Sequence, residues 1–347
     1  MHKVINIGLI GFGNVGQELA RILLEKQQGW AAKESCTFQV SAISTRSRGA
    51  LVNRQGIDLK RALDDINQSG SFNIENPDYK LLTVDDLINL DFIDVVIEIT
   101  TLNIINGQPA ADHIKNALLN GKDVITANKG PIAFYYGDLQ ALAEKVGQIL
   151  LFEGTVMDCT PVFNLVRETL PACTISGFRG ILNSTTNYML TEMAAGESFE
   201  AALKKAQEQG FVESDPALDL DGWDAAAKVA ALMNVFFNAA ITPPEIDREG
   251  ITAISRDDLD KAKQAGETIK LLCEGYRSGD ETYGRVKPVA IPITQPLAQI
   301  QGTSSALTIY TDLAGTFTIE SYDPQIRQTA YALISDLFAI VRHSRQL

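Results

Sequence analysis

The sequence predicts an α/β protein of two domains on three observations. The chain opens on an apolar run that ends in a glycine turn and continues as an amphipathic helix. Further apolar runs alternate with helical segments up to about residue 150, a pattern that builds a parallel sheet with helices on its faces. An acidic loop in the second half then runs into an apolar helix carrying a single lysine. The first two observations set the architecture, and the third points to chemistry.

Residues 4–10 read as the first strand, GFGNVG at 11–16 as the turn, and the helix runs to about residue 27. Gly11 allows the tight turn, Gly13 lets backbone approach a pyrophosphate, and Gly16 permits close packing; Asn14 and Val15 open a helix whose N-terminus stabilises negative charge. This is the pattern of a Rossmann-type dinucleotide-binding turn, against the plainer reading of a tight turn alone. The second strand, residues 38–44, ends in STRSRG, where an NAD-specific site places an acid on the ribose hydroxyls. No acid is there. Arg46 and Arg48 can instead bond a 2′-phosphate, so NADP is preferred and NAD remains possible; the alternative is two solvated arginines.

Residues 93–100 and 123–127 are further strands, separated by a helix at 113–120 with Gly121 behind it. Ligands bind beyond the carboxyl ends of such strands, where Thr100, Thr101, Asn128 and Lys129 fall. Lys129 in TANKGP is therefore a candidate contact for cofactor or substrate, or else a lysine in a turn before Gly130 and Pro131. The NAD(P)-binding domain is expected over residues 1–150, with 311–347 returning to it.

From residue 148 a strand leads through a turn to a helix with Thr160 as cap and Pro161 at its first position. Residues 174–183 read as a strand, and NSTTNYMLTEMAAG as a helix opened by hydroxyls and stopped by glycine, its N-terminus able to hold a carboxylate. Ser198 starts another helix that Gly210 ends. Strand segments follow at 283–292 and 305–318, and a closing helix at 324 to about 342. Residues 151–310 are thus expected to form an α+β substrate and dimerisation domain, a sheet with helices on one face and open on the other. An open face invites a homodimer.

The acidic loop gathers Glu213, Asp215, Asp219, Asp221 and Asp224, and between Asp224 and Glu245 Lys228 is the only charged residue. Solvated helix faces carry charges at every turn, so a lone ammonium four residues after Asp224 marks the edge of a core. Partial desolvation and nearby carboxylates pull its proton affinity in opposite directions, which is how a proton donor is tuned; the alternative is a purely structural core lysine. Lys228, Asn234, Asn238 and the pair Pro243 and Pro244 break up any membrane span, and DPALDLDGWD lacks the donor spacing of a calcium loop.

Composition narrows the classes further. Across 347 residues, 45% hydrophobic and 21% charged content suits a soluble enzyme, and a net charge of -13 repels nucleic acid and anionic membranes. Four cysteines, Cys36, Cys159, Cys173 and Cys273, show no paired spacing, so neither zinc nor a disulfide framework is expected, as in a reducing cytoplasm. The opening MHKVINIGLIGFG has no secretory cleavage region. A different chemistry would make Cys159 a nucleophile, activated by the helix behind it, in an acylating aldehyde dehydrogenase.

GFGNVGQ, TANKGPIA, FEGTVM, RGILNSTTNYML, AQEQGFVESDPALDLDGWDAAAKV, TDLAGTFTI and ALISDLFAI together resemble the homoserine dehydrogenase family, in its short form without a fused kinase or regulatory domain. The resemblance implies interconversion of L-homoserine and L-aspartate 4-semialdehyde by hydride transfer with a nicotinamide cofactor, with no threonine feedback through such a domain. It implies Lys228 as acid/base with Asp224 beside it, Lys129 as a second active-site lysine, and Glu213 and Asp219 on the substrate ammonium. Thr185, at its helix start, suits the substrate carboxylate, and histidine is not available, His2 and His343 lying at the ends and His113 on an outer helix. A sodium-type cation, held mostly by backbone carbonyls in the family, would fall to Glu153, Val156, Asp158 and Thr160. The chain departs from the family at Met157 to Cys159, Ser184, Phe211 and SYDPQ (321–325), where Asp323 stands in place of a glycine-rich turn. A cofactor-binding paralogue without turnover is the reading in which those departures dominate.

Overall fold

Ile5, Ile7 and Leu9, and Val95 to Ile97, are almost completely buried, the mark of strands covered on both faces. A computed structural model describes residues 2–210, 212 and 216–343. They divide into two units, one of residues up to 131, 137–159 and 325 onward, the other of 132–136 and 160–324.

The first unit contains β1 (Lys3–Ile10), α1 (Asn14–Glu34), β2 (Cys36–Ser44), β3 (Ala50–Val52), α2 (Leu59–Ser69), β4 (Tyr79–Lys80), α3 (Val84–Ile88), β5 (Val95–Glu98), α4 (Ala110–Leu119), β6 (Asp123–Thr126), the start and end of α5 (Lys129–Val146), and β7 (Leu150–Leu151). Strand order is β4-β3-β2-β1-β5-β6-β7. The run from β2 to β7 is parallel, and β3 and β4 extend it antiparallel. The chain leaves β1 for β2 on one side and returns to β5 on the other, so a crevice opens beyond the carboxyl ends where the order reverses. This is a Rossmann-like sheet.

The closing helix (Ile326–His343) packs in this unit against α1, with Phe338 4.9 Å from Phe38 and 5.6 Å from Trp30 between ring centroids. That aromatic cluster explains why α1 continues to Glu34 through Gly29, beyond the polar residues that suggested an end near 27. The chain re-enters this unit at 325 rather than 311, because the segment before it belongs to a hairpin of the other sheet.

The second unit holds α6 (Phe163–Thr169), β8 (Ile175–Ile181), α7 (Ser184–Ala195), α8 (Phe199–Glu208), α9 (Ala217–Leu220), α10 (Trp223–Phe237), β9 (Asp247–Arg248), α11 (Arg256–Gln264), β10 (Glu267–Ser278), β11 (Glu281–Pro292), β12 (Ser305–Thr311) and β13 (Thr316–Ser321). The order is β13-β12-β8-β10-β11-β9, antiparallel except for the β9–β11 pair. Two glycines seat α10 on this sheet: a Cβ at Gly275 would stand 2.4 Å from the Phe178 ring, and one at Gly284 2.4 Å from Met233 Sδ. Phe178 in turn meets Phe236 and Phe237 of α10 at 6.0 Å each. Side chains of the other face include Arg179, Glu274 and Arg285, with Arg179 and Glu274 3.1 Å apart. The sequence reading does not anticipate β10, whose Lys270 and Glu274 look like solvated charges and are in fact buried.

Candidate active site

At the nucleotide end, Gly13 caps α1 with no side-chain cap hydrogen bond, and a helix start so capped can offer its first-turn N–H groups to a ligand. A Cβ on Gly13 would meet nothing within 4 Å, so the turn has open space above it. Gly11 sits at φ +105 and its Cβ would lie 2.6 Å from Ile99 O, which restricts the position to glycine; Gly16 leaves only 3.0 Å to Ile99 Cδ1. These are the features a bound pyrophosphate requires. Val15, Ile99, Thr100, Ala127, Asn128 and Lys129 line a cavity of about 120 Å³ at the carboxyl ends of β5 and β6. Asn14 is exposed at the first turn and Arg46 is exposed beyond β2, while Arg48 Nη1 donates to Phe12 O at 3.3 Å.

Lys129 is the first residue of α5 rather than part of a free turn. Asn128 caps that helix, its Oδ1 accepting from Gly130 N at 3.1 Å, and its Nδ2 reaches Thr100 O at 3.3 Å. Thus Val15, Thr100, Asn128 and Lys129 from three separate segments are brought to one place.

The second cluster lies where α7, α9 and α10 begin or meet. Asp224 and Lys228, one helical turn apart on α10, are paired at 3.2 Å with side chains 15% and 16% exposed. Lys228 Nζ also donates to Leu182 O at 2.6 Å. Asn183 is the hub: as cap of α7 its Oδ1 accepts from Thr186 N at 2.8 Å, and its Nδ2 donates to Asp219 Oδ1 at 2.7 Å and Asp224 Oδ2 at 3.1 Å. Thr185 Oγ1 donates to the other oxygen of Asp219 at 2.8 Å. Sequence reasoning singled out Thr185, Asp219, Asp224 and Lys228 but missed Asn183, whose only signal was its place as a helix cap. Glu213, Asp215 and Phe211 lie outside the described residues.

The turn between α9 and α10 is clamped from β9. Arg248 lies over the Trp223 ring at 3.8 Å and donates to Asp221 O. Beside it, Ile251 N donates to Leu220 O at 2.9 Å, and a Cβ on Gly250 would come 2.2 Å from that same oxygen.

Three expectations need correction. Val162, not Thr160, caps α6, because Val162 N turns back to Thr160 O at 2.8 Å and delays the helix to Phe163. Cys159 is thereby taken away from the helix's first turn, and burial, with Asp158 beside it, pushes its thiol up, away from the thiolate a nucleophile needs. His113 is not on an outer surface: its ring is 15% exposed and its Nδ1 stands 3.6 Å from the buried Glu98.

Of the residues expected to hold a cation, Glu153 and Val156 are buried, Asp158 at φ +51 accepts from Thr329 Oγ1 at 2.6 Å, and Thr160 O accepts from Val162 N. Among the described residues no group of three or more acidic, imidazole or thiol side chains gathers for a metal. Asp323, at φ +45, accepts from Thr303 Oγ1 at 3.0 Å, so its carboxylate is engaged by a neighbouring loop. Among the described residues no helix is long and apolar enough to cross a membrane.

Residues 11–153 match the family model for the homoserine dehydrogenase NAD-binding domain, and residues 161–338 that for homoserine dehydrogenase. A homoserine dehydrogenase of Methanocaldococcus jannaschii is 36% identical over 344 residues, 99% of this chain and 100% of the relative. An NAD(+)-dependent homoserine dehydrogenase of Pseudomonas canavaninivorans is 33% identical over 336 residues, 96% of this chain and 95% of the relative. The crystal structure of a homoserine dehydrogenase from Thiobacillus denitrificans matches with a TM-score of 0.82 at 28% identity, covering 96% of this chain and 72% of that one.

Proposed function

This chain belongs to the homoserine dehydrogenase family of pyridine-nucleotide oxidoreductases, and from that premise we propose how its residues interconvert L-homoserine and L-aspartate 4-semialdehyde. The observation that carries the proposal is the convergence of Asn183, Asp219 and Asp224 on the surroundings of Lys228.

The bound nicotinamide cofactor supplies or accepts the hydride. The protein's own groups bind, orient and move the proton. Each oxygen of Asp219 accepts one bond from Asn183 or Thr185 and keeps a further lone pair for the substrate ammonium, a task shared with Glu213. The substrate carboxylate is placed at the start of α7, near Thr185. As hydride reaches the aldehyde carbon, negative charge grows on oxygen; Lys228 stabilises it and delivers a proton, which returns to the amine in the oxidative direction. Asp224 holds that ammonium in place, and Lys129 adds a second positive group.

Gly11, Gly13, Asn14, Val15 and Gly16 hold the pyrophosphate, with Thr100 and Lys129 toward the nicotinamide. NADP is the preferred cofactor because Arg46 and Arg48 stand beyond β2 where an acid would select NAD. NAD is the second reading, favoured by the named dependence of the Pseudomonas relative. A homodimer through the sheet face opposite α10, where Tyr276 and Tyr283 are exposed, and a cytoplasmic setting, suggested by four cysteines without paired spacing, complete the proposal.

The test is absorbance of the reduced nicotinamide with homoserine and NADP or NAD in turn. Reduction with NADP first is expected. No reduction with either, by a protein that binds cofactor, would mean a paralogue without turnover.

A further inference from the structure

We infer that Glu98 sets the preference of this protein for the oxidised over the reduced form of its nicotinamide cofactor. The inference rests on the nicotinamide reading above.

Glu98 ends β5 with no exposed surface. Its Oε1 accepts from Thr100 N at 3.1 Å and from Thr100 Oγ1, its Oε2 stands 3.4 Å from Thr126 Oγ1, and His113 Nδ1 is 3.6 Å from Oε1, beyond hydrogen-bond length. That buried Nδ1 has no other hydrogen-bond partner. Among the described residues no lysine or arginine is paired with Glu98. A carboxylate so enclosed is costly, and the fold does not need its charge to join β5 to β6: Thr126 Oγ1 already donates to the Glu98 backbone oxygen at 2.9 Å.

Position supplies the reason. The turn of Gly11 to Gly16 and the end of β2 serve the half of a dinucleotide that carries adenosine, so the nicotinamide half falls across the switch point, beyond β5 and β6. There Thr100, Asn128 and Lys129 wall the cavity, and Glu98 lies directly behind Thr100. The oxidised ring carries a positive charge and the reduced ring does not. A fixed carboxylate in a dry wall therefore favours the oxidised form, through space, without touching it.

Glu98→Gln keeps the shape and removes the charge. Affinity for NADP and NADPH, or NAD and NADH, is titrated separately by quenching of tryptophan fluorescence in wild type and variant. The oxidised-to-reduced affinity ratio is expected to fall about tenfold in Glu98→Gln. Thr100→Val, which keeps the carboxylate and its bond from Thr100 N but removes the hydroxyl from the cavity wall, is expected to weaken both forms alike. An unchanged ratio in a folded Glu98→Gln protein overturns the inference. Should that variant not fold, Glu98→Asp is read instead: it draws the charge back by one methylene, an expected shift of about twofold in the same direction, and no shift overturns the inference. Wild type that binds neither form would overturn the nicotinamide reading itself.

Discussion

Replacing Lys228 by Met keeps most of the buried stem and removes the ammonium. Two costs separate. In the chemistry, loss of a general acid/base lowers turnover by about a hundredfold or more, about 2.7 kcal/mol on the barrier. In the fold, the ion pair with Asp224 at 3.2 Å and the bond to Leu182 O at 2.6 Å are lost. Stripping one partner from a fully buried pair costs about 3–5 kcal/mol. Here the pair is 15% and 16% exposed and Asp224 keeps its bond from Asn183 at 3.1 Å, so the loss is expected nearer 1–2 kcal/mol. A domain of ordinary stability, about 5–15 kcal/mol, survives that. The assay is therefore threefold: kcat by nicotinamide absorbance, cofactor affinity by fluorescence, and thermal unfolding by circular dichroism. The expected result is a hundredfold or greater fall in kcat with cofactor Kd within about twofold and a cooperative melt. Near-normal kcat in a folded Lys228→Met protein refutes the assignment.

Cys159→Ala should keep turnover within about twofold, since a thiol pushed up by burial and Asp158 is no nucleophile; abolished activity with an intact fold would restore the thioester alternative. Gly250→Ala drives a Cβ to 2.2 Å from Leu220 O, so the α9 turn must shift; a stability loss of about 1–3 kcal/mol and a raised KM for homoserine are expected, and unchanged denaturation and kinetics would show that the turn does not matter. Lys270, 1% exposed and bonded to Asn187 Oδ1 at 3.0 Å and Ile300 O, has its pKa lowered to about 8 from 10.5 by burial. Between those values the unfolded chain binds more protons than the folded one, so stability rises with pH there, and below the folded pKa the full cost of the buried charge is present. Urea midpoints at about pH 7.5 and about pH 9.5 should show wild type gaining roughly 2 kcal/mol relative to Lys270→Met; an equal difference at both would refute it.

The nucleotide turn was legible because its physics is local. Gly11 at φ +105 and the cap at Gly13 are set by the residues that occupy them, so strand, turn and helix could be read in order. Lys228 was legible for another reason: a charge in an apolar helix stands out against its neighbours, whatever the tertiary structure. Asn183 was not, because a cap asparagine looks local, and its reach to Asp219 and Asp224, some 36 and 41 positions away, exists only once α7, α9 and α10 are packed. His113 was misjudged, and Glu98 passed over, on the same ground. In IDVVIEIT a glutamate reads as one strand residue among many, and only the fold turns an imidazole from α4 toward it. The delayed start of α6 shows the limit of a local rule: Thr160 and Pro161 have the right chemistry for a cap, but a turn closing on Val162 N takes the carbonyl first.

Arg248 belongs to an edge strand of only two residues, paired in register with Arg285 and Val286 of β11. Its guanidinium nevertheless secures both Trp223 and the backbone of Asp221. The rim of the sheet thereby governs how the acids are presented, and rims fray before centres do. Under mild urea the enzyme would lose its grip on an amino acid while its helices still gave an undiminished optical signal, and inactivation would run ahead of melting.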